Sequence, residues 1–122
     1  MHHEVTDADT AAALGSGDVP VLATPRLISW MEAATVGCAR QLVDSDKTTV
    51  GTAVRIEHRR ATPVGDSVEV IAERSSCAGR RLTFNVQAFD SSGRLVAAGE
   101  IDRAVVDRES FLRAASSSTG TA

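Results

Sequence analysis

Residues 24–43 read TPRLISWMEAATVGCARQLV, and this stretch decides the fold. Thr24-Pro25 has the form of a helix start, an N-cap hydroxyl followed by proline at the first helical position, where its missing N–H costs nothing. Apolar residues then recur at Leu27, Met31, Ala34, Cys38 and Leu42, a helical stripe. Ile28, Trp30, Ala33 and Val36 widen that stripe until little polar face is left. The spacing predicts one long helix, from Pro25 to about Val43, buried on most of its sides. Asp44-Ser45-Asp46 supplies the polar exit.

Working outward, the chain after this helix switches to period two. Val50, Thr52, Val54, Ile56 and His58 alternate with Arg55, Glu57 and Arg59, which predicts a strand with the first set on one face. Gly65-Asp66 turns into Val68, Val70 and Ala72, and Ala78-Gly79 turns into Leu82, Phe84, Val86 and Ala88. Ser91-Ser92-Gly93 leads to a last strand, about Leu95 to Val106, with a short helix around Ser110 to Ala115. Before the long helix, Thr6, Asp7, Asp9 and an Ala-rich run to Leu14 predict a short capped helix, and 19–23 reads as extended beside Pro20. One apolar helix with about four antiparallel strands is an α+β architecture. An antiparallel sheet wrapped around the helix would bury it on most sides, and that arrangement is the hotdog fold. The domain spans residues 1–115, and the Ser/Thr/Gly-rich tail 116–122 is expected to be disordered.

Composition narrows the function. The chain has 122 residues, 43% hydrophobic and 24% charged, with a net charge of −3. This fits one globular domain with one core. Nucleic acid is not an expected partner, because no basic run exceeds a pair and Trp30, Phe84, Phe89 and Phe111 offer few rings for stacking. No apolar stretch approaches the roughly 20 residues of a membrane span, so no membrane partner is expected. The N-terminus lacks a signal-peptide layout. Cys38 and Cys77 suggest neither a disulfide framework nor a metal site, which makes the cytoplasm the expected location.

Three polar residues sit where the pattern predicts burial or a cap. Glu32 lies in the apolar helix and must be paired, hydrogen-bonded or shifted in pKa. It reads either as a salt-bridged side chain, to Arg26 or Arg40, or as a functional carboxylate. His58 continues the apolar face of its strand, as a satisfied structural histidine or as a group that moves protons near neutral pH. Thr24 reads as a structural cap, yet the helix N-terminus it marks presents free N–H groups suited to a developing oxyanion. Gly51 reads as a bulge or a close backbone approach, or as an opening that admits a thioester. A hydroxyl, a carboxylate and an imidazole between a helix and a strand form a hydrolytic set.

The segments Val21-Leu22-Ala23-Thr24-Pro25 to Trp30-Met31-Glu32-Ala33, and Val50-Gly51-Thr52-Ala53-Val54 with His58, Ala61-Thr62-Pro63 and Gly65, resemble the hotdog thioesterases related to fluoroacetyl-CoA thioesterase. Gly79 to Phe84 and Glu100 to Val106 continue the likeness, which covers roughly Val19 to Phe111. The resemblance implies hydrolysis of a small or medium acyl-CoA thioester, with Thr24, Glu32 and His58 catalytic and Gly51 beside the acyl group. It also implies a homodimer with sites at the subunit interface. No cofactor is expected, CoA being part of the substrate. Arg59, Arg60, Arg80 and Arg81 are candidates for its phosphates. The fluoroacetyl-specific member resembles a lidded enzyme with aromatics before its threonine. Here that region is Gly15-Ser16-Gly17-Asp18, so the fluoroacetyl preference is not carried over. The alternative is a hotdog protein that binds an acyl-CoA or another small apolar ligand without turnover.

Overall fold

The computed structural model describes residues 1–118. Strand β1 (His2–Glu4), a 3-10 turn (Asp7–Asp9) and helix α1 (Ala11–Leu14) precede the long helix α2 (Thr24–Arg40). Strands β2 (Lys47–His58), β3 (Ser67–Ala78), β4 (Arg81–Asp90) and β5 (Leu95–Asp107) follow, and helix α3 (Arg108–Ser118) closes the described chain. The strands form one antiparallel sheet in the order β1-β3-β4-β5-β2. The sheet curls over α2, which gives the expected α+β hotdog architecture.

The core lies where the sheet's inner face meets α2. Leu27 and Met31 of α2 are fully buried against Val68, Val70, Val86, Val96 and Ile101, and Leu22 closes the layer. Valine and alanine on short strand faces allow the sheet to curl tightly over a single helix, which explains a core with so few aromatics. Glycine at 65 is required by the turn between Pro63 and Asp66, where φ is +95°.

Several elements differ from the expectations. The first helix is split, because Thr10 leaves it to form an isolated bridge with Leu22 and caps α1 through Ala13 N. Helix α2 ends at Arg40 rather than near Val43, and only one side of it is buried. Ser29, Ala33 and Gly37 stay exposed because one sheet covers one side of a helix. Ser116–Ser118, expected within a disordered tail, continue α3, and 119–122 lie outside the described residues. The change that matters most is in β2. Its register against β5 shifts between Gly51 and Ala53, so Thr49 and Gly51 share the inner face with Val54, Ile56 and His58, and strict alternation fails. Strand β2 is also an edge of the sheet.

Candidate active site

Thr24 is the first residue of α2, and Ala23 occupies the cap position instead. Its hydroxyl therefore makes no capping bond and reaches the end of β2, where Oγ1 lies 2.8 Å from His58 Nδ1. His58 Nε2 is buried and makes no hydrogen bond among the described residues. Burial lowers the His58 pKa below the usual histidine value, opposed only in part by the Arg60 carbonyl. The ring is thus mostly neutral near pH 7, with Nδ1 facing the Thr24 hydroxyl.

Ala11, Gly17, Val19 and Val21 line a cavity of about 300 Å³ that opens onto Thr24 and His58, with Arg59 and Arg60 on its wall. Arg59 is exposed and already pairs with Glu57 at 3.4 Å.

Glu32 is placed elsewhere on the same helix. The eight residues from Thr24 to Glu32 correspond to about 12 Å along α2. The Glu32 ion-pair partner is neither Arg26, which pairs with Asp9 at 3.0 Å, nor Arg40. It is Arg103 Nη1 at 3.7 Å. A Cβ at Gly51 would lie 2.6 Å from Glu32 Oε2, so only glycine lets the carboxylate stand against β2. Arg103 is 6% exposed and is held by Thr49, whose Oγ1 accepts from Nε at 2.8 Å and whose carbonyl accepts from Nη2 at 3.2 Å. Thr35 accepts from Nη1 at 3.4 Å. Burial lowers the Arg103 pKa and the Glu32 charge opposes that, leaving a cation next to the carboxylate.

The three candidate catalytic residues therefore fall into two separate polar pairs, Thr24–His58 and Glu32–Arg103. Arg80 and Arg81 join neither. Arg81 faces Ala104 across β4 and β5 while His58 faces Ala97, about 23 Å away along β5. Sequence reading missed Arg103, whose signal was available: Ile101, Arg103 and Val105 share one strand face, and the arginine interrupts an inward apolar row.

The profile of the fluoroacetyl-CoA-specific thioesterase (FlK) family matches residues 5–109. A solved structure of FlK is 30% identical with a TM-score of 0.86, covering 96% of this chain and 90% of that one. A single-residue variant of FlK in complex with fluoroacetate and CoA is also 30% identical, with a TM-score of 0.87 over 98% and 97% of the two chains. A thioesterase superfamily member from Thermus thermophilus, 22% identical, shares the fold with a TM-score of 0.88 over 100% of this chain and 92% of its own. No curated protein sequence matches. With the profile spanning nearly the whole sheet and α2, this chain belongs to the fluoroacetyl-CoA-specific thioesterase family.

Proposed function

We propose that this thioesterase hydrolyses small or medium acyl-CoA thioesters, using Thr24 and His58 as nucleophile and base and Glu32 as the carboxylate of the same site. The observation that carries the reading is the 2.8 Å contact between Thr24 Oγ1 and His58 Nδ1, on a ring whose pKa burial lowers. A threonine hydroxyl is a weak nucleophile until an adjacent base takes its proton. In the proposed step Oγ1 attacks the thioester carbonyl and its proton passes to His58. Free N–H groups in the first turn of α2 stabilise the oxyanion. Collapse breaks the C–S bond, the thiolate takes the proton from His58, and water then releases the acid from Thr24.

Glu32 is too far along α2 to meet its own chain's Thr24, which favours a site completed by a second copy. Strand β2 presents a free edge, and Val54, on its inner face, is 41% exposed. An edge of this length left bare is a pairing surface. Antiparallel pairing of β2 with its copy centred on Arg55 keeps inward residues opposite inward ones, sets His58 of one protomer opposite the bulge at Gly51 of the partner subunit, and brings the partner's Glu32 toward the Thr24–His58 pair. A twofold interface of this kind repeats the site on both sides. Two free cysteines, Cys38 and Cys77, and a CoA substrate support a cytoplasmic location.

The test is thiol release from acetyl-, medium-chain and aryl-CoA thioesters, with mass spectrometry of the quenched enzyme. An acyl adduct on Thr24 is expected during turnover. Saturable acyl-CoA binding with no thiol release across the panel would establish the binding protein instead.

A further inference from the structure

From the Glu32–Gly51 contact, α2 and β2 run side by side toward a basic cavity that the catalytic reading does not use. Glu32, Val36 and Arg40 succeed one another at one-turn spacing on α2. Gly51, Thr49 and Lys47 succeed one another at two-residue spacing on the inner face of β2, paired with Arg103, Val105 and Asp107 of β5. Val36, Arg40, Thr49 and Lys47 then wall a cavity of about 140 Å³, joined by Thr48 and by Arg108 from the start of α3. Its volume equals the liquid share of about five waters, room for a phosphate but not for a ring system.

The wall is built with three basic residues and two threonines and no acidic residue. Among the described residues, the Arg40 and Arg108 side chains make no ion pair. Lys47 has only solvent-exposed contacts of 3.7 Å, to Asp46 and Asp107. Exposed pairs of that length are weak and exchange readily for a doubly charged anion. The negative end of the α2 dipole opposes an anion here, and three converging cations outweigh it. In a chain whose net charge is −3, such a convergence is not a matter of average composition.

We propose that this cavity binds the phosphates of the CoA nucleotide, with Arg40, Lys47 and Arg108 as their ligands. The inference rests on the acyl-CoA reading above and adds a residue assignment to it. Distance supports it. About twelve atoms separate a CoA sulfur from its first phosphorus, the backbone of roughly four extended residues, or about 13 Å. The four residues from Gly51 to Lys47 also span about 13 Å. A thioester held at Gly51 thus delivers its phosphates to Lys47. Arg59 and Arg60 fit this role less well, because they share a wall with Thr24 and His58 and leave no length for the pantetheine arm. Arg81 lies near Asp102 on the outer face of the sheet.

The test compares the wild type with the combined variant Arg40→Gln, Lys47→Gln, Arg108→Gln. All three side chains lie at the surface, and circular dichroism checks the fold. Calorimetric titration with CoA, adenosine 3′,5′-bisphosphate and inorganic phosphate reads binding directly. Steady-state kinetics with acyl-CoA and the matching acyl-pantetheine reads its use. The expected result is a loss of at least tenfold in CoA affinity and in kcat/KM for acyl-CoA. The advantage of acyl-CoA over acyl-pantetheine should collapse toward one, and the wild-type KM should rise with salt. CoA affinity within twofold of wild type overturns the assignment, whether or not the enzyme turns over. Inorganic phosphate binding as tightly as the bisphosphate overturns it too, as a simple anion site. Weakened CoA binding in a protein that hydrolyses no thioester keeps the nucleotide site and rejects the hydrolase.

Discussion

Thr24 Oγ1 and His58 Nδ1 lie 2.8 Å apart although 34 residues separate them in the chain. The contact forms because Thr24 begins α2 without capping it, so its hydroxyl is free to face the end of β2. His58→Ala is expected to lower kcat by about 10²- to 10⁴-fold, the usual worth of a positioned acid–base group. Thr24→Val should abolish the adduct, and Thr24→Ser should keep it. Retained turnover in both His58→Ala and Thr24→Val would remove the pair from the mechanism.

The acid limb of activity follows from the same residue. Burial lowers the His58 pKa, and a general base works in its neutral form. The rate should therefore rise with pH through a midpoint below the free-histidine value of about 6.5. A kcat/KM profile measured with a non-ionising acyl group checks the sign.

Gly51 should be replaceable for folding and not for function. An alanine Cβ would meet Glu32 Oε2 at 2.6 Å, and the far end of a flexible side chain can yield where backbone cannot. Gly51→Ala should unfold within a few degrees of wild type while its kcat falls as far as that of Glu32→Gln. A thermal melt beside an activity assay separates the two effects.

Arg103 ties the Glu32 end of the site to β2. Arg103→Met removes its bonds to Thr49 and Thr35, leaving their oxygens with fewer partners, at a cost of about 1–3 kcal/mol. The same change in a Glu32→Gln background should cost less, since no charge is then left alone. Denaturant unfolding of the four proteins measures the coupling, and strict additivity would show that the pair does not interact.

Acid should loosen the N-terminal strand before it unfolds the rest. The His3 ring stacks on Trp30 with centroids 4.4 Å apart and planes within 3°, and its Nε2 is buried without a hydrogen-bond partner among the described residues. Burial lowers its pKa first, then the Met1 ammonium and His2, with Asp9 and Glu69 opposing. A histidine whose folded pKa is depressed contributes full stability above the unfolded value. That contribution is lost as pH falls through about 6.5 and then through the folded value. Trp30 is the one tryptophan, so its emission reports the change. His3→Phe, which keeps a ring on Trp30 without a titrating group, should flatten the early part of the transition.

Much of the molecule was legible in sequence. The periods of 24–43 and of the later strands name the helix and the inner faces, because burial of one face imposes its repeat on the residues. Val68, Val70, Leu82, Phe84, Val86 and Ala88 all lie inside as that repeat requires, Leu82 the least enclosed at 3% exposed. The site was legible as residue types and not as a geometry. Alternation in β2 puts Val50 and Thr52 on the face of His58, and the bulge after Gly51 reverses that. Glu32 required a cation, but Arg26 and Arg40 were its neighbours in sequence, while Arg103 becomes one only when β5 pairs with β2.

The sequence by itself determined a helix under a curled antiparallel sheet, a family, and the residue types Thr24, Glu32 and His58 as candidates for its site. Tertiary structure alone decided which of them meet. Local repeats encode which face of an element is buried. Register, bulges and the rise of 1.5 Å per helical residue decide what stands opposite what. Those terms separate Glu32 from Thr24 on one chain, and they align Arg40 with Lys47 at the far end of the same groove.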